Sequence, residues 1–163
     1  MPTQLVFTGL VGAPLPWSAD WAWGLPLIVL TVLIHVVGLA VTWETVVSIF
    51  NRSSRRHPIV LFVIVTGTAT FLAICLHSIE AMIWALAYGL LGALPSYRLA
   101  VLYSLNAMTS YGHTNLVLDD HWHLMGALEA LNGWLLFGLT TAFLFGVIDK
   151  VWSKAKGFKR SAT

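Results

Sequence analysis

The stretch SYRLAVLYSLNAMTSYGH, residues 96–113, decides how the chain is read. Ser96 is a residue type that caps helices, and Tyr97–Met108 behind it reads as a short helix. A bilayer crossing takes about 20 apolar residues, so this helix does not span. After it come Thr109, Ser110, Tyr111, Gly112, His113 and Thr114, then polar residues as far as His123. Long apolar runs lie on both sides. The chain therefore inserts a half-helix and a polar segment between two spanning helices. Backbone that is not helical at such a depth must be buried in protein or line water.

Working outward, residues 124–149 form the last span, and 150–163 are a basic tail. On the other side, residues 58–95 read as a spanning helix with an outer extension. It opens at Pro58, which suits a first helical turn, and its apolar pattern runs to Leu94 past His77, Ser78 and Glu80. That is longer than one crossing, so the helix either projects beyond the membrane or breaks near His77–Glu80. Residues 51–57 are polar and basic, and 25–50 form the first span. Residues 1–24 carry Trp17, Trp21 and Trp23, which favour the headgroup layer, so this segment reads as interfacial. The fold expected is all-α and integral to the membrane: three transmembrane helices, with a re-entrant helix and loop, residues 96–123, between the second and third.

Composition agrees. Hydrophobic residues make up 58 % of the chain and charged residues 10 %, against about 25 % charged in soluble domains. Mean hydropathy is +0.80. The basic residues fall in two clusters, Arg52, Arg55 and Arg56, and Lys150, Lys154, Lys156, Lys159 and Arg160, with Arg98 apart. Membrane topology explains these clusters better than a nucleic-acid-binding face does. By the positive-inside rule the Arg loop and the C-terminus are cytoplasmic, and the N-terminus and the half-helix face outside. The single cysteine, Cys75, forms no intrachain disulfide, and the N-terminus lacks the basic region of a signal peptide. No hydrolase triad, phosphate loop or thiolate metal site is present, and no enzyme is expected.

A half-helix whose carbonyl end faces a cavity favours a cation there. A ring of backbone carbonyls from the following loop can then replace an ion's hydration shell. At this point the chain resembles the pore region of small bacterial members of the potassium-channel superfamily. The resemblance rests on His77-Ser-Ile-Glu80, Trp84, Leu91-Gly-Ala-Leu-Pro95, Leu102-Tyr-Ser104, Tyr111-Gly112, Glu129-Ala-Leu-Asn-Gly133 and Phe137-Gly138. It runs from about His77 to Phe145; the first helix matches only as an extra apolar span. The resemblance implies a homotetramer in the bacterial inner membrane, since one loop cannot enclose an ion. It implies potassium, with sodium as a second permeant ion, held by the backbone carbonyls of Thr109, Ser110, Tyr111 and Gly112. No other cofactor is implied; lipids and further copies of the chain are the expected partners.

The filter departs from that family's Thr-Val-Gly-Tyr-Gly-Asp. Aligned on Tyr-Gly, the first threonine is Met108, the first glycine is Ser110 and the aspartate is His113. The family uses glycine where φ is positive, and a side chain there costs about 1–2 kcal/mol. Weakened selectivity is expected. A non-conducting, channel-derived structural or sensory protein is the alternative.

The resemblance makes Glu80 a carboxylate that hydrogen-bonds backbone behind the filter, with His77 on the same helical face and Trp84 nearby. Glu129 and Asn132, three apart on one helix, offer a carboxylate and an amide that either brace the half-helix or its loop or only snorkel toward the outer surface. Gly126, Gly133 and Thr140 recur every seven residues, a spacing that lets helices approach. The family places a hinge near Gly133 or Gly138. Thr140 and Thr141 either line a cavity or bond their own backbone. His113, His121 and His123 cluster at the expected outer mouth, beside Asp119 and Asp120. His35 and His77 sit on different helices, as in bundle haem sites. Reading His35 near mid-span and His77 near the outer end makes a haem protein the remotest alternative.

Overall fold

The computed structural model describes residues 17–52, 58–112 and 116–160, with backbone alone at 58 and 154–160. Helix α1 is Ser18–Arg52, α2 is Pro58–Leu90, α3 is Tyr97–Met108 and α4 is His123–Arg160, with a short 3-10 turn at Asp120–Trp122 before α4. Among the described residues there is no strand. Helices α1, α2 and α4 are each long and apolar enough to cross a membrane.

The distribution of polarity on α1 shows which solvent these helices suit. Its buried face carries Thr31, His35, Leu39, Thr42 and Val46. Its opposite face exposes Val29, Leu33, Val37 and Val41, each more than half accessible. Polar groups inside and large aliphatic groups outside would be unstable in water and suit hydrocarbon. The protein is built as a membrane bundle.

Helix α1 packs on both α2 and α4, while α3 lies against α2 and α4. Small residues permit the crossings. A Cβ on Gly38 of α1 would meet Leu76 of α2 at 2.7 Å. Helix α2 is continuous through His77–Glu80, so the break considered there does not occur. Instead α2 ends on Gly92, whose φ is +64. Ala93 N donates to Tyr88 O at 3.0 Å and Gly92 N to Gly89 O at 3.3 Å, which closes the helix in a Schellman turn. Ser96 then caps α3, accepting from Leu99 N at 3.3 Å.

Helix α1 starts at Ser18 rather than at Leu25, and it carries Pro26 inside. The reason lies across the bundle. Asp20 is buried, and its Oδ1 accepts from Met125 N at 3.0 Å. Met125 is in the first turn of α4, where N–H groups have no helical acceptor. Asp20 is thus a cap supplied by another helix, and its negative charge sits where the α4 dipole favours it. Asp20→Ala should lower the thermal midpoint in detergent by the equivalent of about 1–2 kcal/mol. Asp20→Asn, which keeps an acceptor, should recover most of that loss.

Candidate functional site

The end of α3 and the loop after it form the first part of the site. Thr109 N donates to Leu105 O at 3.1 Å, Ser110 N to Ala107 O at 3.0 Å and Tyr111 N to Asn106 O at 3.0 Å. The last two bonds make a second Schellman turn, and Ser110 occupies its left-handed position with φ 54. Where α2 uses glycine, α3 uses serine. Trp134 of α4 holds that serine, with Nε1 donating to Ser110 Oγ at 2.8 Å. Gly112 follows with φ +92, and Tyr111 between them is 85 % exposed. His113 lies outside the described residues.

Below the loop, α3 is seated on α4 by backbone contact. A Cβ on Gly133 would collide with the Met108 carbonyl, its oxygen and carbon together. Gly133 is therefore a close-approach position. Gly138 has nothing within 4 Å of such an atom. A groove of about 510 Å³ opens beside this seat, lined by His77, Met108, Ser110, Gly133, Trp134 and Phe137 among others.

Two buried polar clusters support the elements. In the first, Glu129 of α4 accepts from Tyr88 OH of α2 at 2.7 Å and from Ser104 Oγ of α3 through a short contact. Ser104 Oγ also lies 2.7 Å from Ala81 O. One carboxylate thus joins α2, α3 and α4. Beside it, Tyr103 packs edge-on to Tyr88, and its hydroxyl lies against Gly126. Burial, with the Glu129 carboxylate nearby, pushes the Tyr103 phenol up to about 12, so the ring stays neutral.

In the second cluster, His35 Nδ1 lies 2.8 Å from Glu80 Oε1. His77 Nδ1 lies 3.2 Å from Glu80 Oε2. Thr140 Oγ1 lies 3.0 Å from Nε2 of each histidine. Glu80 therefore turns to two histidines, not to backbone behind the loop. The reason is the continuity of α2. Because α2 does not break, His77 lies near its middle, level with His35 near the middle of α1. Their ring centroids are 5.0 Å apart, too close for a porphyrin between them.

The remaining residues divide. Glu129 reaches the half-helix, but Asn132 donates to Thr31 Oγ1 of α1 at 2.9 Å. Thr140 joins the histidine cluster, whereas Thr141 bonds Phe137 O of its own helix. Trp84 is fully buried, and its Nε1 has no hydrogen-bond partner. Asp119 Oδ1 accepts from His121 N and so caps the turn before α4. His123 Nε2 lies 2.8 Å from Leu118 O and 3.6 Å from Asp120 Oδ1. No local motif marks Asp20, Thr31, Tyr88 and Ser104 as parts of these networks; the signal in the sequence is only that a polar group inside a spanning helix needs a partner on a facing helix.

Gly133→Ala and Gly138→Ala form a matched pair. The first should displace the end of α3 and lower the thermal midpoint by the equivalent of about 1–3 kcal/mol. The second should be neutral or slightly stabilising, because alanine is the better helix former. Circular-dichroism melts in detergent read both.

Compared with known proteins, the chain matches no family model, no curated protein and no solved structure.

Proposed function

We propose that the chain is one subunit of a tetrameric pore-loop cation channel that favours potassium, with a shortened and less selective filter at Thr109–Gly112. It would lie in a bacterial inner membrane, the N-terminus outside and the C-terminus cytoplasmic. The observation that carries this reading is the backbone after α3. Thr109 is right-handed (φ −85, ψ −4), Ser110 has φ 54 and Gly112 has φ +92. Alternating hand puts successive N–H groups on one side and the carbonyls on the other. A run of carbonyls on one side is what a dehydrated cation needs. The run is exposed on the single chain, and symmetry-related copies around an axis would complete the cage. The positive φ values fall at Ser110 and Gly112, the positions aligned with the two filter glycines.

A second reading has its own observation. The carbonyl of Met108, the residue aligned with the innermost filter position, lies against Gly133 of α4. Losing it as an ion ligand favours a non-conducting derivative of such a channel.

Flux from liposomes decides between them. The channel reading expects purified protein to pass potassium faster than sodium and to run as a tetramer in mild detergent. Ser110→Gly should raise the potassium preference, because it removes a strain of about 1 kcal/mol in each subunit. Gly112→Ala should reduce flux, because it adds such a strain. Absence of flux across pH and voltage would establish the second reading.

A further inference from the structure

The His35, His77, Glu80 and Thr140 cluster has a problem of hydrogen counting. The four groups form a ring: Glu80 to His35, His35 to Thr140, Thr140 to His77, and His77 back to Glu80. Suppose both imidazoles are neutral and direct Nδ1–H at the ionised carboxylate. Both Nε2 atoms are then bare acceptors, and they face one hydroxyl that has one hydrogen. One edge of the ring is left with lone pair against lone pair, in a site where His35 and Glu80 are fully buried.

The mixed arrangement, with Nδ1–H on His35 and Nε2–H on His77, satisfies three edges with three hydrogens and leaves His77 Nδ1 bare against Glu80 Oε2, the carboxylate oxygen without a hydrogen-bond partner. Every neutral arrangement thus lacks at least one hydrogen, and reversing both tautomers gathers the deficit on the Glu80 side. Each Nε2–H donates to Thr140 Oγ1, whose two lone pairs accept two bonds at 3.0 Å. Two bare Nδ1 atoms and a carboxylate then converge with no hydrogen among them. That is a donor set for a cation. One ligand atom from each of His35, His77 and Glu80 lies within 4.8 Å of the others.

An extra proton between His77 Nδ1 and Glu80 Oε2, 3.2 Å apart, would also close the ring; a metal ion occupies the same place and engages all three side chains at once. The Nδ1–Oε separations, 2.8 Å from His35 to Oε1 and 3.2 Å from His77 to Oε2, fall somewhat below the spacing of ligand atoms around a tetrahedral ion, about 3.3 Å for bonds of about 2.0–2.1 Å, so an ion would spread the three side chains by about 0.5 Å or less.

We propose that His35 Nδ1, His77 Nδ1 and a Glu80 carboxylate oxygen bind a divalent transition-metal ion of the zinc class. Thr140 is the positioning residue that accepts both Nε2–H groups and fixes both tautomers. Two nitrogens and one oxygen, with no thiolate, suit that class of ion better than calcium or magnesium. The fourth position has a source: His77 is 26 % exposed and lines the 510 Å³ groove, through which water and the ion can reach the site. The ion would fasten α1 to α2 directly and to α4 through Thr140. None of this depends on whether the protein conducts.

The test uses full-length protein in detergent, stripped with EDTA and titrated with Co2+ as a coloured substitute for Zn2+. The expected result is a visible d–d spectrum saturating at one ion per chain, abolished by added Zn2+, with a raised thermal midpoint. Glu80→Gln and His77→Asn should each weaken binding by at least about 100-fold. Thr140→Val, which keeps all three ligands, should keep the spectrum and weaken binding by about 10–100-fold. Melts of the metal-free variants verify that each is folded. Absence of stoichiometric Co2+ binding by folded wild-type protein would overturn the proposal. So would a spectrum that survives Glu80→Gln, which would assign the ion to other histidines. A midpoint that responds to pH but not to Co2+ would assign the ring to a proton and equally overturn it.

Discussion

A polar group inside a spanning helix has no water to turn to, and the whole bundle is organised around that constraint. Asp20, Thr31, His35, Thr42, Glu80, Glu129, Asn132 and Thr140 are all buried. Most of them meet across helix boundaries rather than within one helix. In a soluble bundle, apolar burial would drive association, with polar groups left outside. Here aliphatic side chains gain little by exchanging lipid for protein. Association then depends on close packing and on interhelical hydrogen bonds. Asp20 to α4, Asn132 to Thr31, and Glu80 to His35 are three such ties, and each joins α1 to another span. Without them α1 would have only weak dispersion contacts to choose its face.

The half-helix α3 is held differently. It touches α2 and α4, and its polar tie is Ser104 to Glu129. Its far end rests on Gly133 through the Met108 backbone, where no side chain intervenes. A short helix gains little from its own propensity. Its position is therefore set by one carboxylate, one glycine and the turn at Gly92. That turn reverses the chain so that Ser96 can start α3 alongside α2.

Much of this was legible in the sequence, because the signals were local. The Ser96 cap marks the start of α3, and the three apolar runs mark the spans. What was not legible depends on registry between helices. The apolar run from Pro58 exceeds one crossing, and length alone does not say whether a helix of that kind breaks. Once α2 runs unbroken to Leu90, His77 and Glu80 move to mid-bundle and find His35. Glu129 reaches the half-helix through Ser104, as a carboxylate on the outer half of the last helix could. Asn132, a turn further on, has rotated toward α1 and finds Thr31 instead. Residues three apart share a face only approximately, and a difference of some 60° suffices to change partners.

Helix α4 connects the two polar clusters. Reading along it, Glu129 holds α3, Asn132 holds α1, Gly133 receives the Met108 carbonyl and Thr140 bridges the two histidines. The loop and the histidine cluster are therefore not independent. Ser110 is pinned by Trp134, and Trp134 neighbours Gly133 on the same rigid helix. His77 and Ser110 line the same groove. A shift of α4 relative to α2 would stretch the Thr140–His77 contact and move the seat of α3 together. Packed helices move as units rather than bending residue by residue. The histidine cluster and the turn after α3 are thus joined mechanically through α4.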